Sequence, residues 1–135
     1  MKILLDTNIV LDLLMQRELF YEDAVEIFTA IELGNLDGYL CATTITTIYY
    51  LVSKNTTKKK TDEIIENLLQ LFKIADIDKE VLLLSLKNSG VDFEDSVIYT
   101  SAKMFQVDMI ISRDKKGFKN SKVEVKTPKE FLVSL

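Results

Sequence analysis

Residues 43–54 read TTITTIYYLVSK, and the fold turns on them. Threonine and isoleucine favour a strand by local propensity. The spacing favours a helix: Ile45, Ile48, Tyr49 and Val52 recur at i, i+3, i+4 and i+7, which is one helical face. Burying a continuous face outweighs per-residue preferences of less than about 1 kcal/mol, so a helix is expected, with Thr43 or Thr44 as its cap.

Working outward, strands and helices alternate. Upstream lie a short strand at 38–42, a helix at 22–33 ended by Gly34, a short helix at 8–15 and an apolar strand at 2–6. Downstream, 55–60 reads as a polar, basic connection. Helices are expected at 61–72, 79–88 (ending near Ser89-Gly90) and 93–106, with strands at 73–76, 108–112 and 123–125. Thr127-Pro128-Lys129-Glu130 is a helix-start signature for a final short helix. Short strands without polar alternation, separated by helices, imply a three-layer α/β/α domain with a central, mainly parallel sheet. Its expected extent is the whole chain, 1–135, as one domain.

The composition narrows the chemistry. Histidine is absent, which removes Ser-His and Cys-His triads and histidine metal sites. One cysteine, Cys41, leaves no intrachain disulfide and points to a reducing cytoplasm. Met1-Lys2 leads straight into a strand, with no signal peptide in view. The longest uncharged stretch, 39–53, falls short of the roughly 20 residues a membrane span needs. Net charge is −4, unevenly spread: residues 1–95 hold 17 acids against 9 bases, residues 96–135 hold 4 against 8. A basic rim beside an acidic pocket is one consequence open to such a chain.

Three acids mark the pocket. Ligands of parallel sheets bind beyond the carboxyl ends of the strands. Asp6 ends the first strand, in ILLDTN. Asp114 follows the strand DMIIS. Asp95 lies in the first turn of the helix before that strand, which opens toward the same sheet edge. Each has a local reading too: Asp6 as a helix cap, Asp95 as a complement to a helix dipole, Asp114 as a turn residue. Together they would repel one another, so clustering calls for a cation. With oxygen donors alone, that cation is magnesium, or manganese as a substitute, acting on phosphate oxygens.

At this point the chain resembles the PIN domain family, in particular the short prokaryotic VapC-like toxin ribonucleases. The resemblance spans nearly the whole chain: LLDTNIVLDLL, ATTITTIYYLVSK, DFEDSVIYTSAK and MIISRDKKGFKNSKVEVKTPKEFL, in that order. It implies magnesium-dependent cleavage of RNA at an acid cluster in which Asp6, Asp95 and Asp114 bind metal and catalyse. Asn8 and Ser112 match polar residues beside the site, and Asp92 and Glu94 are further acids next to Asp95. Many relatives carry a glutamate in the helix after the second strand, where Thr47 stands here. The resemblance therefore also admits a degenerate PIN-like module that binds RNA or a protein without cutting. It implies a small antitoxin partner and a homodimer.

Arg113, Lys115, Lys116, Lys119 and Lys122 place five bases beside Asp114, positioned to follow an RNA backbone or to form a solvated loop. Phe118 reads first as an anchor of that loop in the core and second as a platform for a base. A receiver domain shares the layout, but its acid pair after the first strand is missing, since Thr7 and Asn8 follow a single Asp6. A dehalogenase-like phosphatase needs an acid at Asn8.

Overall fold

In the computed structural model, which describes residues 1–88 and 91–135, five strands form one sheet. They are β1 (Lys2–Leu5), β2 (Asp37–Cys41), β3 (Lys73–Ala75), β4 (Met109–Ile111) and β5 (Glu124–Lys126). Their order is β3-β2-β1-β4-β5, and every pairing is parallel. Among the described residues seven α-helices connect and cover them: α1 (Thr7–Leu14), α2 (Tyr21–Glu32), α3 (Ala42–Ser53), α4 (Lys58–Leu71), α5 (Lys79–Ser85), α6 (Phe93–Met104) and α7 (Pro128–Ser134).

The period-2 alternation of strand side chains builds the three layers. Ile3 and Leu5, Leu40, and Met109 and Ile111 point to one face, where Ile9, Ile27, Ile48, Ile65 and Phe131 from α1, α2, α3, α4 and α7 pack on them. Leu4, Tyr39 and Cys41, Ala75, and Ile110 point to the other, against Val81 of α5 and Val97, Ile98 and Ala102 of α6. With both faces covered, the strands need no polar alternation, which is why they read as unbroken apolar runs.

Two element starts differ from the sequence expectation by more than one residue. Helix α3 begins at Ala42, and its N-cap residue Cys41 makes no side-chain cap bond. Thr44 caps nothing; it is fully buried and its hydroxyl meets that of Thr7 at 2.9 Å. Helix α4 starts three residues before expectation, so the lysine run is its first turn. Thr57 accepts from the Lys60 N–H at 3.2 Å, and Lys58 pairs with Asp62 at 2.8 Å, which offsets three cations at a positive helix end. The helix expected over 79–88 runs only to Ser85, and the end expected near Ser89-Gly90 lies outside the described residues.

The helix-start signature before α7 forms as expected. Glu130 N–H donates to Thr127 Oγ1 at 3.2 Å, and Thr127 N–H donates to Glu130 Oε1 at 2.9 Å. Thr127→Ala should cost about 1 kcal/mol, read as a fall of a few degrees in Tm.

The strand order reverses at β1. From β1 the chain moves outward through β2 and β3, then returns to place β4 on the other side of β1. The crevice between the carboxyl ends of β1 and β4 is therefore the topological switch point, where this architecture leaves room for a ligand. Among the described residues no helix is long and apolar enough to cross a membrane.

Candidate active site at the switch point

Asp6 stands at the centre of this crevice. The β1–β4 ladder runs one residue past the strand, with Asp6 N–H on Ile111 O at 2.9 Å. Asp6 is 6 % exposed. Its two carboxylate oxygens have different partners. Oδ1 accepts the Thr7 N–H at 2.8 Å, so the capping reading holds for α1. Oδ2 accepts the hydroxyl of Ser112, also at 2.8 Å, from the end of β4. The second bond is not a cap; it ties the two strand ends on either side of the switch point.

Ser112, fully buried, is itself held: its Oγ accepts the Asp114 N–H at 3.0 Å. Asp114 caps a 3-10 turn, Lys115–Phe118, through the Gly117 N–H at 3.3 Å. The reading of Asp114 as a turn residue holds, and the turn is 3-10 helical. Phe118 anchors it in the α5–α6 core layer. Gly117 then sits against two acids: a β-carbon built there would fall 2.5 Å from Asp95 Oδ2 and 3.4 Å from Asp114 Oδ2. The strand end, the turn and the start of α6 thus converge, bringing Asp95 and Asp114 to one glycine.

The electrostatics record the convergence. Asp95 is pushed up to about 6, first by burial, then by the charges of Asp6, Asp92, Asp114 and Glu94; every contribution runs the same way. Asp6 is raised too, chiefly by burial, with Asp114 adding to it and the Ser112 hydroxyl, the Thr7 amide and Arg113 opposing it. The neighbouring bases leave this charge largely uncompensated. Arg113 is turned to Asp12, and Lys115 is bonded to Glu130 at 2.6 Å. Lys116 and Lys119 are exposed on the turn.

The other candidate residues take distinct places. Asp92 caps α6, accepting the Glu94 and Asp95 N–H groups at 3.1 and 3.4 Å, and Glu94 is exposed on the first turn. Asn8 is exposed and accepts a hydrogen bond from Arg17 at 3.4 Å rather than touching an acid of the crevice. Thr47 is half-buried on α3.

Among the described residues no three acidic or cysteine side chains are grouped tightly enough to hold one ion directly. The donor set nevertheless fits a hard divalent cation. It is all carboxylate oxygen, burial and neighbouring carboxylates raise the pKa of Asp6 and Asp95, and magnesium keeps several waters between itself and a protein of few carboxylates.

A stability prediction follows from the sign of these shifts. A carboxyl whose folded pKa lies above its unfolded value binds protons more readily when folded, so its contribution falls as pH rises. For Asp95 that window runs from 3.8 to about 6. Thermal melts in chelator should show the metal-free protein losing this contribution between about pH 4 and pH 6. Magnesium should restore Tm at pH 7 and do little at pH 5, where protons occupy the same oxygens.

Comparison with known proteins decides the family. The profile of the PIN domain matches residues 2–116. The chain belongs to the PIN domain family. Ribonuclease VapC1 of Aquifex aeolicus (strain VF5) is 30% identical over 134 residues, covering 96% of this chain and 92% of the relative. The solved FitAcB of Neisseria gonorrhoeae superposes with a TM-score of 0.71 at 27% identity, over 94% of this chain and 98% of that one. A toxin-antitoxin complex from Klebsiella pneumoniae shares the fold, with a TM-score of 0.70 at 22% identity over 93% and 96%.

Within this PIN chain, sequence reasoning missed four residues at the site. Thr7 and Thr44 make the buried hydroxyl pair next to Asp6. Gly117 permits the approach of Asp95 and Asp114. Asp12 is 1 % exposed and holds Arg113. Two of these left a signal: an acid inside the apolar run IVLDLL, and one of only four glycines placed three residues after Asp114.

Proposed function

We propose that this chain is a metal-dependent endoribonuclease of the VapC type that hydrolyses RNA phosphodiester bonds, and the toxin of a toxin-antitoxin pair. The observation that carries this reading is the uncompensated charge at the switch point. Carboxylates from β1, the start of α6 and the end of β4 converge: burial and the charges of Asp6 and Asp114 raise the pKa of Asp95, and burial and the charge of Asp114 raise that of Asp6, while Arg113 and Lys115 are bonded to other acids. The name of the Aquifex relative, a ribonuclease, supports the substrate class.

Asp6, Asp95 and Asp114 would hold magnesium, with manganese as a substitute. Bound there, the ion supplies a Lewis acid for phosphoryl oxygens and makes hydroxide available near neutral pH. The chain's own work is orientation. Ser112 and the Thr7 amide fix both oxygens of Asp6, leaving the carboxylate no freedom to rotate. The Gly117 amide aims Asp114, and the Asp92 cap fixes the first turn of α6 that carries Asp95. Lys116 and Lys119 would follow the RNA backbone, in a salt-dependent manner. The fold shared with the Klebsiella toxin-antitoxin complex supports an antitoxin partner.

One observation favours a second reading. Helix α3 brings a hydroxyl beside Asp6 rather than a carboxylate, since Thr44 bonds Thr7, and Thr47 stands at the position for which the family resemblance implies glutamate. On that reading the chain binds RNA or a protein without cutting. The test is incubation of the purified protein with a mixed RNA pool in magnesium, manganese or chelator. Cleavage that chelator abolishes supports the nuclease. No cleavage in any buffer, with a Tm indifferent to both metals, moves the assignment to the binding module.

A further inference from the structure

Arg113 lies between two site residues, Ser112 and Asp114, yet its guanidinium faces away from the acids. It makes a two-pronged ion pair with Asp12, Nε to Oδ2 at 2.9 Å and Nη2 to Oδ1 at 3.0 Å. Asp12 is on α1, six residues after Asp6, and is 1 % exposed. Arg17 adds a third bond to it at 3.3 Å. The ring of Phe20, just before α2, stacks under the Arg113 guanidinium with 3.8 Å from Cζ to the ring centre. A planar fork locked by a buried carboxylate and an aromatic face has little freedom left.

Helix α1 is thus tied to the strand-end segment at two points. At its start, Asp6 accepts from Ser112; nearly two turns on, Asp12 accepts from Arg113. Two anchors on successive residues fix both the position and the rotation of a segment, where one would leave a pivot. What the pair sets is the direction in which the next residue, Asp114, leaves the strand.

From this we infer that Asp12 and Arg113 are positioning residues for cleavage: their buried ion pair orients the Ser112–Asp114 segment so that Asp114 is presented to Asp6 and Asp95. The inference rests on the ribonuclease reading of the site. It also assigns Arg113 a role other than contact with an RNA phosphate, although its outer face borders an open cleft of about 330 Å³ with Phe20, Pro128 and Lys129.

The test uses the full chain and three variants, Arg113→Lys, Arg113→Gln and Asp12→Asn. Lysine keeps the charge and loses the fork; Asp12→Asn keeps Arg113 and frees it. Three quantities are read: manganese affinity by electron paramagnetic resonance, kcat and KM on a fluorescent RNA oligonucleotide, and the salt dependence of that RNA's binding in chelator. Loss of a residue that orients a metal-binding group typically costs 10- to 100-fold, so kcat and manganese affinity should fall by about that much in all three. KM and the slope of RNA affinity against salt should stay within about twofold of wild type.

If Arg113 instead touched phosphate, its variants would weaken RNA binding with a shallower salt slope, and Asp12→Asn would keep its activity; that result overturns the inference. So does recovery of wild-type kcat on cooling below each variant's Tm, which marks a purely structural role. If wild type cuts RNA and Arg113→Lys cuts as fast, the ribonuclease stands and the inference fails alone. Wild type that neither cuts nor binds manganese removes both.

Discussion

Asp6→Asn is expected to lower metal-dependent RNA cleavage by at least about 10²-fold while leaving the Tm of the metal-free protein unchanged or raised. The two halves of this result have one cause. Asp6 is buried and its carboxylate is disfavoured by that burial and by the charge of Asp114. Asparagine has the same shape without the charge, so the penalty disappears. The local bonds survive the exchange. The asparagine carbonyl can still accept the Thr7 N–H, and its amide can donate to Ser112 Oγ, whose own proton turns to the Asp114 carbonyl, already 3.4 Å away. What is lost is the negative oxygen facing the crevice. Paired melts in chelator and cleavage assays in magnesium check both halves. A variant that melts lower and still cuts would show that Asp6 is a structural cap.

That prediction depends on a fold whose outline the sequence carries well. The helical period of Ile45, Ile48, Tyr49 and Val52 holds against the β propensity around it, because Ile48 and Val52 are buried against the sheet and helix pairing is decided by such contacts. The elements that shift are those with no apolar period to mark them. The Lys58–Lys60 run looks like a connection because charge says nothing about a helix start until Thr57 and Asp62 are known to satisfy it. The 3-10 turn at Lys115–Phe118 is legible only in part: Asp114 reads as a turn residue and Phe118 as a core anchor, but the helical form of the turn, set by the Gly117 amide on Asp114, leaves no apolar period.

The site is legible to a different depth. Parallel strand ends and helix starts meet at one edge, so Asp6, Asp95 and Asp114 could be brought together from chain order alone. Chain order does not tell which nearby side chain faces the crevice. Arg113 is flanked by residues that do, but its fork is taken by Asp12, from an apolar run whose single acid looks misplaced until its partner is seen. Thr44 likewise reads as a cap and instead holds Thr7. Pairings across 37 or 101 residues have no local signature.

Gly117→Ala should lower cleavage by about 10- to 100-fold with little change in Tm, the reverse of a packing defect. Glycine is not required here for a left-handed backbone; it is required for space. The added methyl would lie 2.5 Å from Asp95 Oδ2 and 3.1 Å from its Cγ. No real contact is that short, so something must move. The 3-10 turn cannot retreat cheaply, because Phe118 is buried beside Gly117 and the Gly117 amide is bonded to Asp114. The Asp95 carboxylate can, by rotating about its side chain into the half-open space around it. The fold then survives at small cost, and moving one acid away from Asp6 and Asp114 eases their repulsion. The same movement takes a donor from the place where a cation would be held, and a displacement near 1 Å is enough to cost on the order of 10²-fold in rate. Cleavage, manganese affinity and Tm measured on one preparation decide the matter. A loss of all three would mean that the turn gave way, and unchanged cleavage would mean that Asp95 is not a ligand in the working enzyme.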